Sequence, residues 1–253
     1  MTTIVFLHIP KTAGQTVHGA LARAIGAENI SPVRVHSQAD ADGQMPAGYR
    51  LYSGHLDWTG LDRLPVPRFV FSILRDPRER IASFYLYLEK EARALSPAAL
   101  ADPGNLGKNR VLNWSADDYF FGGDAGWSAF VRDHYDNAYT GYLACRTMRG
   151  HGALRALDTP AALARALEGA RAIDRIYPVS GLDALAADLS GHLGRAISFT
   201  GPRVNVGPVA AGRPRWPELL SRFESDAAAR RLDAFVERDS VLMEKLGLAG
   251  APG

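Results

Sequence analysis

The stretch Thr2-Thr-Ile-Val-Phe-Leu-His-Ile-Pro-Lys-Thr-Ala-Gly-Gln-Thr16 decides the fold. Through Ile9 it is a short, β-branched-rich apolar run, the pattern of a strand buried on both faces. The run breaks at Pro10. From Thr12 onward Val17, Ala20, Leu21, Ala24 and Ile25 recur at helical spacing, and Gly26 ends the segment. A strand therefore enters a turn that opens a helix. Amide groups at a helix start have no partner within the helix and carry the positive end of its dipole, so such a turn can hold an anion. Gly14 permits close backbone approach, Ala13 adds little bulk, Lys11 supplies a positive charge, and Thr12 and Thr16 supply hydroxyls. The lysine precedes the glycine and the first glycine is missing, which separates the turn from the triphosphate loop G-x-x-x-x-G-K-[ST]. On its own the segment is equally readable as a surface turn with a solvated lysine.

A second unit of the same kind follows. Arg68–Leu74 has the buried-strand pattern, Asp76 can cap a new helix, and Pro77 at its first turn forfeits no hydrogen bond. Ile81, Phe84, Tyr85 and Leu88 then share a helical face. Two strand–turn–helix units predict an α/β fold, with a parallel sheet flanked by helices in three α/β/α layers. Arg75 leaves the end of the second strand, and Ser83 follows on the helix. A guanidinium can fork two donors onto one phosphate, and a hydroxyl can add a third. Ligands of open parallel sheets bind beyond the carboxyl ends of the strands, where both units place their polar residues. Arg78 and Arg80 read as solvated or paired with neighbours such as Glu79.

The 253 residues, 47% of them hydrophobic, suffice for one large domain, and no repeat or linker divides residues 1–253. Ala39–Gly48 reads as loop, Tyr49–Ser53 and Arg175–Ser180 as strands, and Ser96–Asn113 as a mobile excursion. Asp117–Arg146 reads as helix in two pieces, with further helix at Ala161–Ala172, Leu182–Leu193 and Glu218–Leu246. Thr200–Pro217, rich in proline and glycine, reads as a long loop. The net charge of +2 gives no global case for nucleic-acid or membrane binding, so any basic function is local. The single Cys145 excludes a disulfide framework and a Cys-only zinc site, and no metal is expected. No apolar run approaches the roughly 20 residues of a membrane helix, and Met1–His8 has no leader pattern. A cytoplasmic protein without a membrane span is the expectation.

Taken in order, the two units resemble the sulfotransferases that use 3′-phosphoadenosine 5′-phosphosulfate. His8–Thr16 is similar to their H-I-P-K-T-[AG]-G-[ST]-[ST] loop, and Arg75–Ser83 to their R-D-P-x-x-R-x-x-S segment. The branch containing heparan sulfate 2-O-sulfotransferase and bacterial relatives is the most similar. The resemblance covers about a third of the chain. It implies a phosphate-loop α/β fold in which Lys11, Thr12, Ala13, Gly14, Gln15 and Thr16 enclose the phosphosulfate. Arg75 and Ser83 would then hold the 3′-phosphate. Gln15 departs from the pattern, which has a small hydroxyl residue there; a backbone contact would survive that change and a hydroxyl contact would not. Asp136–Leu143 resembles the family's D-N-x-x-T-R-x-L helix, with Gly141 where arginine is usual, and Asn137 reads as a cap or cross-link. Gly201–Gly207 resembles an R-x-N segment, in which Arg203 would reach the 3′-phosphate and Asn205 would hold a closing loop.

Sulfuryl transfer needs a base for the acceptor and positive charge on the departing phosphate. Lys11 suits the second role. Of seven histidines, His8 is expected to orient the loop or pack beneath it, and His18 to be exposed. His36, His134, His151 and His192 read as surface or satisfied core. His55 follows a strand and a glycine in Leu51-Tyr-Ser-Gly-His-Leu-Asp-Trp58, and the related branch carries its base in a Gly-His at this point. Neutral imidazole, with an ordinary pKa near 6.5, suits proton acceptance. Asp57 is the fallback base, while Glu89 and Glu91 read as solvated charges. Trp58, Tyr85, Tyr87 and Trp127 read as core in preference to sugar-stacking rings. The expected acceptor is a hydroxyl on a carbohydrate or small metabolite. Two alternatives remain at this point. A phosphate-loop kinase or hydrolase lacks the G-K-[ST] order and an apolar run ending in a magnesium-binding Asp. A non-catalytic nucleotide-binding module needs Lys11 and His55 to be incidental.

Overall fold

Strand β1 (Thr3–Leu7) is buried along its whole length and pairs in parallel on both sides. Its partners are β2 (Leu51–Gly54) and β3 (Arg68–Leu74), and β4 (Arg175–Pro178) continues the sheet beyond β3. The strand order is β2-β1-β3-β4. The computed structural model describes residues 1–199 and 213–250. Its first helices are α1 (Gly14–Ile25), α2 (Pro77–Arg93), α3 (Pro97–Leu100), α4 (Leu106–Asn113) and α5 (Ala116–Phe121). They are followed by α6 (Ala125–Tyr135), α7 (Ala138–Cys145), α8 (His151–Leu154) and α9 (Thr159–Ala170). The last four are α10 (Leu182–Leu193), α11 (Trp216–Leu220), α12 (Asp226–Arg231) and α13 (Glu237–Lys245).

Successive side chains of a strand point to opposite faces, and β1 distributes its residues accordingly. Ile4 and Phe6 join Phe69, Phe71 and Ile73 in packing against Val17 and Leu21 of α1 and Leu185 and Leu189 of α10. Val5 and Leu7 join Val70 and Leu74 in packing against Tyr139 and Tyr142 of α7, Ala162 and Ala166 of α9, and Leu242 of α13. The sheet thus lies between two helical layers. Truncating a core residue such as Leu7 or Phe71 to alanine costs about 2–5 kcal/mol at sites of this kind. A further cluster joins α2, α5 and α6 to the carboxyl-terminal segment through Tyr85, Tyr119, Phe120, Tyr135 and Phe235.

Three expectations change. Ser96–Asn113 is largely helical, because its prolines open helices: Pro97 and Pro103 sit at first turns, and the side chains of Ser96 and Asp102 accept from Ala99 N and Gly104 N. Asp117–Arg146 forms three helices, broken at Gly122-Gly123 and at Asn137, whose φ is 48°. Glu218–Leu246 is divided among shorter helices, with α11 beginning two residues earlier, at Trp216. No helix among the described residues is long and apolar enough to cross a membrane.

Candidate functional site

From β1 the chain moves outward to β2, then returns past β1 to reach β3 and β4. The helix after β1 lies on one face of the sheet, and α7 and α9, which precede β4, lie on the other. A crevice therefore opens between the carboxyl ends of β1 and β3, at the switch point where open parallel sheets bind ligands. The loop carrying Lys11 follows β1 and the turn carrying Arg75 follows β3, so both lie at that edge of the sheet.

The loop is strained. Lys11 and Ala13 both have left-handed backbone, with φ of 74° and 64°. Each costs a non-glycine residue roughly 1–2 kcal/mol, and such strain concentrates at ligand clamps. Helix α1 begins directly after Ala13 with no side-chain cap and no acidic residue in its first turn. No side chain thus occupies its leading amides or its positive dipole end, the arrangement that suits an anion. Gly14 is required for another reason: a Cβ there would lie 1.8 Å from the His8 ring. Thr12 is fully buried, and its hydroxyl donates to the Ile9 carbonyl at 2.8 Å. That proton is spent inside the loop, so Thr12 offers an anion its amide only. Gln15 is exposed and Thr16 half-buried at the mouth.

Three cations gather here. Lys11 Nζ lies 3.8 Å from the centroid of the Tyr87 ring on α2. Glu79, two turns earlier on that helix, has Oε2 at 3.4 Å from Arg75 Nη2 and 3.6 Å from Arg215 Nη1. Its Oε1 accepts from the amides of Arg215 and Trp216 at 2.6 and 2.9 Å. The side chains of Arg75, Glu79 and Arg215 are only 10%, 14% and 17% exposed, so solvent screens this group little. Arg75 Nε is buried without a partner among the described residues, a donor left for a ligand. Glu79, Ser83 and Tyr87 recur every four residues and share one face of α2. Ser83 thus lies between the contacts of Arg75 and Lys11. Burial, with Arg75 and Arg215 nearby, lowers the Lys11 pKa to about 8.

His55 stands at the other side of the β1 end. Its amide donates to the Arg34 carbonyl at 2.9 Å, in a parallel bridge to Val35, and its Nδ1–H donates to the His8 carbonyl at 2.8 Å. The carbonyl can only accept, so neutral His55 keeps a lone pair on Nε2. Burial holds its pKa below the ordinary value. Gly54 makes this possible, because a Cβ there would meet the Arg34 carbonyl oxygen at 2.1 Å. His8 packs beneath the loop as expected, its ring 4.4 Å from that of His55, and burial lowers its pKa well below 6.5. His18 is not exposed: Arg34 Nη1 donates to its Nε2 at 2.5 Å and its Nδ1 lies 3.1 Å from Ser53 Oγ. Burial lowers its pKa to about 4.

Asp57, the fallback base, is committed to structure, its Oδ1 accepting from Met148 N at 2.7 Å. Arg80 is buried, not solvated; it donates to the carbonyls of Pro10 and His134, tying α2 to the loop between β1 and α1 and to α6. Arg78 pairs with Asp233 at 2.9 Å. Glu89 is buried and paired with Arg93 and Arg222. Asn137 cross-links the fold, donating to the Ala234 carbonyl and accepting from the amides of Arg238 and Asp239. Arg203 and Asn205 lie outside the described residues.

No known family model matches the chain, and no curated protein matches it. The site is therefore read from its own residues. The sequence singles out Lys11, Arg75 and His55 as candidates; it does not single out Glu79, Tyr87 and Arg215, which the structure places against Lys11 and Arg75. The recurrence of Glu79 four residues before Ser83, and of Tyr87 four after it, was the available signal for the first two. For Arg215, 140 residues from Arg75, the sequence carries no signal.

Proposed function

We propose that the chain is a sulfotransferase that moves a sulfuryl group from 3′-phosphoadenosine 5′-phosphosulfate to an acceptor hydroxyl. The observation that carries this reading is the convergence of Lys11, Arg75 and Arg215 on one crevice at the uncapped start of α1. Two anionic ends fit it. The amides of Ala13, Gly14, Gln15 and Thr16, with Lys11, suit a phosphosulfate. Arg75, Ser83 and Arg215 suit a second phosphate, and the unpartnered Arg75 Nε supplies a donor for it.

His55 Nε2 accepts the hydroxyl proton as the acceptor oxygen bonds to sulfur. The bond from sulfur to the bridging phosphate oxygen breaks, and Lys11 stabilises the charge that collects there. The products are the sulfate ester, the nucleoside 3′,5′-bisphosphate and a protonated His55. Sequestration of His55 from solvent keeps its imidazole neutral before the transfer.

Calorimetry with 3′-phosphoadenosine 5′-phosphate tests the donor assignment. Saturable binding without magnesium, weakened more than tenfold in Arg75→Ala, is the expected result. Magnesium-dependent ATP binding with no response to the bisphosphate would replace it with a phosphate-loop kinase or hydrolase.

A further inference from the structure

One cation next to the candidate base has no part in the donor crevice. Arg34 lies on the segment that runs beside β2, where Val35 and His55 form a parallel bridge. Its carbonyl accepts from His55 N at 2.9 Å and occupies the space that a Cβ at Gly54 would need. The backbone of Arg34 is therefore fixed against His55. Its side chain turns back over the same strand end: Nη1 donates to Nε2 of His18, whose Nδ1 lies 3.1 Å from Ser53 Oγ. Ser53 and His55 are two residues apart, so their side chains share a face of the strand. The guanidinium, His18 and the His55 ring thus gather at the carboxyl end of β2.

This guanidinium is half-buried and has no carboxylate partner among the described residues. The imidazoles beside it do not compensate its charge. Burial lowers the pKa values of His8, His18 and His55, so their rings are neutral near neutral pH. Partial burial of a charge without a counter-charge is unfavourable, and an anion bound there would offset the cost. The form of the fork is also informative. His18 takes Nη1, whereas Nε is buried without a partner and Nη2 has none among the described residues. Nε and Nη2 make up one edge of the guanidinium, the edge that grips a carboxylate or phosphate through two parallel bonds.

We infer that Arg34 binds an anionic group of the acceptor, a carboxylate or a phosphate, close to the hydroxyl that His55 deprotonates. The strand order keeps this anion apart from the donor. Arg34 runs beside β2, and Arg75 follows β3 on the opposite side of β1. Arg34 and His55 are joined through one hydrogen bond, so a single small molecule spans both. The inference rests on the sulfotransferase reading for the reaction at His55, and on Arg34 alone for the anion.

Glucose, gluconate and glucose 6-phosphate, titrated into the full chain with and without 3′-phosphoadenosine 5′-phosphate and followed by ligand-observed NMR, test it. The bisphosphate occupies the donor crevice, so binding in its presence reads the other side of β1. One or both anionic compounds are expected to bind about tenfold or more tighter than glucose, the range of a hydrogen-bonded charge. The stronger of the two identifies carboxylate or phosphate. In Arg34→Gln the preference falls to the level of glucose, and in His18→Ala, which removes the Nη1 contact but keeps the guanidinium, it persists. Equal binding of neutral and anionic compounds, no binding of any, a preference that survives in Arg34→Gln, or one lost equally in His18→Ala overturns the inference. If Arg34→Gln does not fold, Arg34→Lys reads the same point: its ammonium lacks the fork, and an undiminished preference there overturns the inference as well. Failure of the bisphosphate to bind, with the Arg34-dependent preference intact, overturns the donor reading and leaves the anion assignment standing.

Discussion

The Nδ1–H of His55 is held by the main-chain carbonyl of His8, at 2.8 Å, and not by a side chain. The tautomer that leaves Nε2 free is thereby built into the strand ends, and no substitution at position 8 removes the carbonyl. Because burial lowers the His55 pKa, its imidazole stays neutral, the form the proposed base needs, down to pH values below 6.5. The acid limb of kcat/KM is expected below that value. His55→Ala should reduce turnover by 10²–10⁴-fold, the usual range for a general base, with bisphosphate affinity unchanged. Full activity in that variant would remove the base assignment.

Lys11 makes the opposite prediction on the alkaline side. With a pKa of about 8, it loses its proton over a range in which an ordinary lysine remains charged. Bisphosphate affinity should fall as pH rises through 8, since only the charged form attracts the anion. In Lys11→Met the affinity should be lower throughout and flat between pH 7 and 9. Titration calorimetry at several pH values reads both.

Glu79 holds Arg75 and Arg215 and caps the backbone at Arg215 and Trp216. Glu79→Ala should weaken bisphosphate binding about tenfold and destabilise the fold by about 1–2 kcal/mol. Arg215→Ala should weaken binding with a smaller effect on stability. A Glu79→Ala protein with tighter binding would show that the carboxylate competes with the ligand instead of positioning its arginines.

The left-handed Ala13 offers a test of loop strain. Ala13→Gly relieves the steric penalty at φ 64° and should raise stability by roughly 0.5–1 kcal/mol. Gly14→Ala should do the reverse, because the His8 ring occupies the space of the new methyl. A loss of about 1–3 kcal/mol is expected from that overpacking. Urea unfolding of both variants distinguishes them.

Asp239 is buried and accepts from Tyr139 N, Thr140 N and Thr140 Oγ1, yet burial still raises its pKa to about 6. The folded state therefore binds this proton more tightly than the unfolded state. Its stabilising contribution is complete below the ordinary carboxylate pKa and is lost as pH rises through about 6. The full difference is roughly 3 kcal/mol. Asp239→Asn should flatten the change in unfolding free energy between about pH 4 and 6.

The strand–loop–helix at the amino terminus was legible because its signals are local: an unbroken apolar run, then Lys11 and Gly14, then helical periodicity. Pro97 and Pro103 misled because a proline at a helix start and one in a loop look alike without the cap geometry. Arg80 and His18 were misjudged since charge and polarity suggest solvent, whereas carbonyls of Pro10 and His134, and the Arg34 guanidinium, satisfy them inside. Arg215 was illegible for a different reason. Its place beside Arg75 is created by a carboxylate on α2 that also caps α11.

The Tyr139 hydroxyl accepts from the Arg75 amide and donates to the Arg75 carbonyl, while Asp239 holds the Tyr139 amide. The residue at the mouth of the crevice is thus fixed by one made 164 positions later. During synthesis the loop between β1 and α1 is made before Asp239, so the arginine opposite it acquires its full support only after Asp239 has left the ribosome. A chain translated only as far as α9 would carry the loop with Arg75 still lacking the support that reaches it through Tyr139 and Asp239.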